Sequence, residues 1–404
     1  MKNIKLSLAL TGLLTLSTSS FADDAADIAE LKQQVKDLQE MTQTLTDETS
    51  DLQTGFNYTT VDAEKSFSGL GAAASKVYYS KSPLSIGGYG EMFYAHTTKD
   101  DGSVSSKVDV YRFVPYIGYK FTDNIILNTE IEFEHGGVAN NSGAAKGGEV
   151  IVEFMYLDFL IHENFNVRTG NMLMPMGLIN ERHEPTLFTT VQRPSTSKYL
   201  IPSTWHESGV MAFGNIIDGL EYKVAGVTAL KVADNGSGWI RSGRGGSFKN
   251  ADPKLGLTGR IDYTGTSGLM VGASVYSDSN ILMWDTHVDY KVSGARIYGV
   301  YTQTTRSDTN ATQVKSAKGG FLNASFDVLS LTSIQDKLPL FVQYENINPQ
   351  AKLGNGTTAD STDIVTFGLN YFPHPQVVLK ADYALATTDS KTDNIASVSM
   401  GFIF

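Results

Sequence analysis

From residue 85 to the C-terminus, apolar residues recur at every second position. In DVYRFVPYIGYKF, Tyr111, Phe113, Pro115, Ile117, Tyr119 and Phe121 fall on one face, with Arg112, Tyr116 and Lys120 on the other. In IILNTEIEFEH, Ile125, Leu127, Ile131 and Phe133 oppose Asn128, Glu130, Glu132 and Glu134. PKLGLTGRIDY sets Leu255, Leu257, Ile261 and Tyr263 against Lys254, Arg260 and Asp262. A period of two marks strands. Segments of about ten residues that are apolar on one face and polar on the other mark strands of a transmembrane barrel. Sixteen such segments run from 85–98 to 394–404, an even number, as a closed antiparallel barrel requires.

The connections sort by length. Short turns such as 122–124, 162–164, 217–219 and 292–294 alternate with long loops such as 136–147, 172–208 and 231–252. That alternation fits periplasmic turns and extracellular loops. Two connections depart from it: 277–280 is short where a long one is due, and 329–337 is the reverse. A soluble β-sandwich also alternates, but its exposed face would not carry aromatics beside so many turns. Tyr119, Phe121, Phe165, Tyr263, Tyr290, Tyr371 and Phe372 read as an interfacial girdle. The chain ends SVSMGFIF, inside a strand. The last strand is therefore expected to pair with the first, because an open edge in lipid leaves backbone groups unsatisfied.

Ahead of the strands the period is different. Ile28, Val35, Thr42 and Thr49 recur every seven residues, each followed three residues later by Leu31, Leu38, Leu45 and Leu52. This is an a/d seam, narrower than the face of a single amphipathic helix, and it implies self-association. Residues 1–22 carry Lys2 and Lys5, a short apolar run and Ser20-Phe21-Ala22, the layout of a cleaved secretory signal. The expected organisation is a signal peptide at 1–22, a coiled coil at 23–53, a Gly/Ala/Ser-rich linker at 54–84 and the barrel at 85–404. The fold class is all-β: a 16-stranded antiparallel transmembrane barrel with an N-terminal periplasmic coiled-coil helix.

Composition adds exclusions. With no Cys among 404 residues, disulfides and thiolate metal sites are impossible. A net charge of −11 argues against nucleic acid as a partner. Glu181-Arg182-His183-Glu184 lacks the His pair of a zinc helix, and Ser195 and His206 form no recognisable nucleophile arrangement. The chain reads as a non-enzyme, with no catalytic residue, no metal ligand and no cofactor.

The longest connection, residues 172–208, has no strand period, and a loop of this length is usually functional. VRTGNMLMPMG, then LFTTVQRPS, then a Gly-started strand, resembles the phosphate-selective porin O and P family, through Arg168, Gly170, Pro175, Gly177, Phe188, Arg193 and Pro194. The resemblance implies a homotrimer in a Gram-negative outer membrane, with the third loop folded into each lumen. Family members selecting anions have basic lumens. Here the lumen candidates have both signs: Arg112, Arg168, Lys254, Arg260, Lys291, Arg296 and Lys380 against Glu130, Glu132, Glu134, Glu149, Glu153, Asp262, Asp285 and Asp289. Phosphate selectivity is therefore not carried over.

The expected constriction comprises Glu181, Arg182, His183, Glu184, Arg193 and Lys198, with Arg112, Glu130, Glu132, Arg168, Arg260 and Lys380 on the lumen wall. Leu187, Phe188, Tyr199 and Leu200 are apolar anchors that would draw the loop inward. The functional expectation is passive diffusion of small hydrophilic solutes or ions. The alternative is an envelope tether or adhesin, with the barrel as anchor and the coiled coil contacting a periplasmic partner or peptidoglycan.

Overall fold

The computed structural model describes residues 24–54, 61–137, 147–232, 236–244 and 252–404. The segment read as a signal peptide lies outside them. The chain divides into two compact units, Met1–Asn57 and Tyr58–Phe404. The first contains helix α1 (Asp24–Thr54). Of its heptad seam, Leu31, Val35, Leu38 and Leu45 are all exposed. Thr42, at an a position, turns its hydroxyl back to donate to the Leu38 carbonyl at 2.6 Å.

The second unit is a closed sixteen-strand barrel in which each strand pairs antiparallel with its sequence neighbours. The strands are β1 (Leu84–Thr98), β2 (Val104–Thr122), β3 (Ile125–Glu134), β4 (Val150–His162), β5 (Phe165–Leu173), β6 (His206–Ile217), β7 (Leu220–Thr228) and β8 (Leu255–Tyr263). The circuit continues through β9 (Leu269–Ser277), β10 (Ile281–Val292), β11 (Ala295–Arg306), β12 (Val314–Asp327), β13 (Pro339–Leu353), β14 (Thr362–His374), β15 (Val377–Thr388) and β16 (Lys391–Ile403). The alternation in sequence becomes inside and outside. On β8, Leu255, Leu257 and Ile261 are exposed on the outer surface, while Thr258, Arg260 and Asp262 are buried within. Tyr119, Phe121, Phe165, Tyr263 and Tyr290 all stand exposed beside short turns.

The C-terminal residue is part of the closure. Gly88 N–H donates to the Phe404 carbonyl and Phe404 N–H to the Gly88 carbonyl, both at 2.9 Å. The Phe404 ring stacks on Phe113 with centroids 6.1 Å apart. Gly88 has φ +154°, and a Cβ there would fall 2.3 Å from the Val114 carbonyl oxygen on β2 and 2.8 Å from the Phe404 ring, so glycine is what both neighbours of β1 allow at this position.

The two connections that break the length alternation have local explanations. Residues 278–280 form a tight turn because the Asp278 carboxylate accepts from the backbone N–H of Asn280 and Ile281, both at 2.8 Å. The longer connection after β12 contains a short 3-10 turn, Val328–Leu331, capped by Asp327. Strands also outrun the apolar pattern: β2 starts at Val104, with Val104, Val108 and Val110 exposed.

Residues 54–84, expected to be linker, include helix α2 (Ala72–Tyr79), whose residues Ala72 to Val77 are buried inside the barrel. An eight-residue helix is unstable alone; here the wall holds it. Asn128 Nδ2 donates to the Ala74 carbonyl at 2.8 Å, Lys76 Nζ to the Ile86 carbonyl at 2.7 Å, and Tyr78 Oη to Asp158 at 2.6 Å. The small residues that resemble linker composition are those that fit a helix against the strands.

Candidate functional site

The connection between β5 and β6 turns into the lumen. Its base is clasped by Asn180, whose Nδ2 donates to the carbonyls of Met174 and Trp205 at 2.8 and 2.9 Å, while its Oδ1 accepts from Trp205 N–H at 2.9 Å. Gly177 makes the turn at φ +66°, and its N–H reaches Asp285 on β10 at 3.0 Å. Thr189 N–H donates to Tyr298 Oη on β11 at 3.0 Å, and Val191 N–H to Asp382 on β15 at 2.6 Å. A single helical turn, α3 (Ser195–Tyr199), aims the N–H groups of Ser195 and Thr196 at Glu345 on β13 at 3.2 and 2.9 Å. Of the expected apolar anchors, Phe188 and Leu200 are buried, and Leu187 and Tyr199 are half-buried.

On the β8–β11 side the charges are mutually satisfied. Arg260 Nε lies 2.6 Å from Asp262, and His287 bridges Asp262 and Asp285, both at 2.8 Å. Asp289 takes Arg296 at 2.8 Å and the loop's Arg182 at 3.1 Å. Glu181 meets Lys223 on β7 at 2.6 Å and Arg260 at 3.8 Å.

The β3–β4 side is different. Arg112 pairs with Glu91 at 2.9 Å and Glu132 at 3.3 Å. Glu130 and Glu153 face His183 Nε2 at 3.2 and 3.7 Å. His183 Nδ1 donates to the Asn180 carbonyl at 2.6 Å. Burial, reinforced by Arg193, pushes the His183 imidazole down to about 3. Glu184 accepts the Ala73 and Ala74 N–H groups at the start of α2, both at 3.0 Å. Burial nonetheless pushes its carboxyl up to about 7.

The expected residues therefore divide. Glu181, Arg182, His183, Glu184 and Arg193 all come together in the lumen. Arg193 donates to the His183 carbonyl at 3.0 Å and to Tyr89 Oη at 3.3 Å. Lys198 is exposed and lies over the Tyr199 ring at 5.2 Å. Arg168 is held away from the loop by a bidentate pair with Asp158, at 2.8 and 2.9 Å. Lys380 Nζ donates to the Phe188 and Thr190 carbonyls at 2.8 and 3.0 Å, so it fastens the loop. Lys254 and Lys291, expected to face inward, are exposed at strand ends.

Sequence reading missed Glu91, Lys223, His287, Arg241 and Arg244. The first three were legible as inward members of alternating strands. The arginines were not, because residues 229–254 have no period.

Open volumes adjoin the loop. One of about 300 Å³ is lined by Glu132, Glu134, Glu149 and Glu153 together with Arg241 and Arg244. A smaller one of about 150 Å³ is bordered by Arg193, Lys198, Glu345 and Asp382.

No family model matches the sequence. Solved structures of similar fold include OmpTdeltaL8, a loop-deletion mutant of an outer membrane protein of Vibrio cholerae (12% identity, TM-score 0.54, covering 80% of this chain and 100% of that one). The anion-selective porin from Comamonas acidovorans (11%, 0.54) covers 80% and 99%, and the outer membrane channel DcaP of Acinetobacter baumannii (12%, 0.53) covers 80% and 97%. At these identities the likeness is one of fold: the sixteen-strand porin barrel. In sequence, an uncharacterized protein of Aquifex aeolicus (strain VF5) is 34% identical over 364 residues, covering 82% of each chain, and the present chain belongs to the same family as that protein.

Proposed function

We propose that the protein is an outer-membrane diffusion channel for small hydrophilic solutes or ions, with the inward loop at residues 172–208 as its constriction. The observation that carries this is the loop's span: it is bonded to β10 and β11 and to β13 and β15, and beside it lies a charged cavity. Carboxylates and arginines line that cavity together, so selectivity there follows local residues rather than net charge. Arg112, Arg168 and Arg260 each have a carboxylate partner, which supports weak ion preference and speaks against the phosphate selectivity of the resembled family. The proposal includes export by residues 1–22. It also includes a homotrimer, an arrangement named for the similar barrel of Vibrio cholerae OmpT in its trimer form.

Purified protein added to planar bilayers should give discrete conductance steps that scale with salt concentration. Folded barrels that insert without conducting would overturn the proposal. A second reading, an envelope tether, draws on one observation: the exposed Leu31, Val35, Leu38 and Leu45 seam of α1. It predicts that removing residues 28–52 abolishes a periplasmic association while leaving conductance unchanged.

A further inference from the structure

The β3–β4 wall and the loop bring two buried carboxyls and a buried imidazole together. Glu130, Glu153 and His183 place one ligand atom each within 4.8 Å of one another, and all three side chains are buried. Glu130 Oε2 and both carboxylate oxygens of Glu153 meet no N–H or hydroxyl donor among the described residues; what they meet is one another and Glu132, acid against acid. Carboxylates buried so completely are normally paired or bound to metal.

The histidine sharpens the point. A carbonyl oxygen can only accept, so the 2.6 Å contact to Asn180 places the imidazole proton on Nδ1. Nε2 is left with a lone pair directed at two acidic side chains. A backbone carbonyl fixing the far nitrogen of the imidazole is the usual second shell of a metal-bound histidine.

Local charge agrees. Glu91, Glu130, Glu132 and Glu153 are buried around two guanidiniums, Arg112 and Arg193. The remaining acids of the adjoining cavity, Glu134 and Glu149, are matched by Arg241 and Arg244. With Lys380, which acts on Glu91 from β15, counted as well, carboxylates still outnumber cations here.

We propose that Glu130, Glu153 and His183 bind one divalent transition-metal cation of the zinc class, clipping the inward loop to the barrel wall. Two carboxylates and an imidazole suit zinc better than calcium or magnesium, which favour all-oxygen shells. Bonds of about 2.0 Å at tetrahedral angles put ligand atoms about 3.3 Å apart. The Glu130–His183 contact, at 3.2 Å, already has that spacing, and Glu153, at 3.7 Å, needs only a small shift. The fourth position is left to water. Because Glu153 also lines the 300 Å³ cavity, an ion reaches the site from there.

The test uses the full mature protein in detergent, stripped with a chelator and dialysed against Zn²⁺, with bound metal measured by elemental mass spectrometry. The expected result is one zinc per chain. Affinity should fall at least about 100-fold in both Glu153→Gln and His183→Gln, since loss of an outer-shell partner alone costs up to that much. Glu163→Gln, in an exposed turn, controls for adventitious carboxylate binding. Heat-modifiable migration on gels verifies that each variant is folded. Loading with Co²⁺ should give the visible absorption of a four-coordinate site, lost in the same two variants. Two results would overturn the proposal. One is zinc no higher than background in folded wild-type protein, which would mean that the carboxyls share protons instead. The other is zinc retained in both ligand variants, which would place the ion elsewhere.

Discussion

The same loop docks on two walls of one barrel, and the walls treat charge differently. Against β8–β11, the acids facing the loop have basic partners: Asp262 with Arg260, Asp285 with His287, Asp289 with Arg296 and Arg182. Against β3–β4, Glu130 and Glu153 face the Nε2 of a histidine whose Nδ1–H donates to the Asn180 carbonyl. A saturated wall is cement, because removing any member strands a buried charge. An unsaturated wall is costly to build, and that marks it as the side where something else binds.

The contrast should be largest in stability. Asp289→Ala leaves Arg182 and Arg296 without their carboxylate, and is expected to cost about 3–5 kcal/mol, as when half of a buried ion pair is removed. Thermal unfolding of the purified barrel measures it. Glu153→Gln, on the other wall, should stay within about 1 kcal/mol of wild type or be stabilising in the presence of chelator, because it removes a carboxylate that meets no N–H or hydroxyl donor among the described residues. Equal losses from the two changes would erase the distinction between the walls.

A smaller effect is expected in permeation. Arg241 lines the larger cavity together with Glu132 and Glu134. Arg241→Glu should move the reversal potential in a salt gradient toward cations, more at 0.1 M than at 1 M salt, as the screening length falls from about 10 to 3 Å. The smallest effect belongs to Tyr298→Phe. It deletes the hydroxyl that accepts from Thr189 N–H, and should cost about 1 kcal/mol with conductance preserved.

Much of the barrel was legible because lipid on one side and a polar interior on the other force a period of two, as Leu255, Leu257 and Ile261 show against Arg260 and Asp262. Where strands leave that environment the rule lapses, and the start of β2 at Val104 was missed. Helix α2 was hidden for another reason: small residues serve a flexible linker and a tightly fitted helix equally well. In the loop, charge and apolar anchors pointed to Glu181, Arg182, His183, Glu184 and Arg193. Their partners were not legible, because Glu130 meets His183, and Asp289 meets Arg182, across more than fifty residues of chain. Only the closed circuit of strands brings them together.

If solutes pass beside the loop, a side chain lining the adjoining cavity must feel them. The chain has no cysteine, so one introduced thiol reports alone. In planar bilayers, Arg241→Cys should lose conductance when a bulky charged methanethiosulfonate reagent is added, whereas Val210→Cys, on the outer surface of β6, should not respond. Steps from Arg241→Cys that persist unchanged after complete modification would mean that solutes take another route or none.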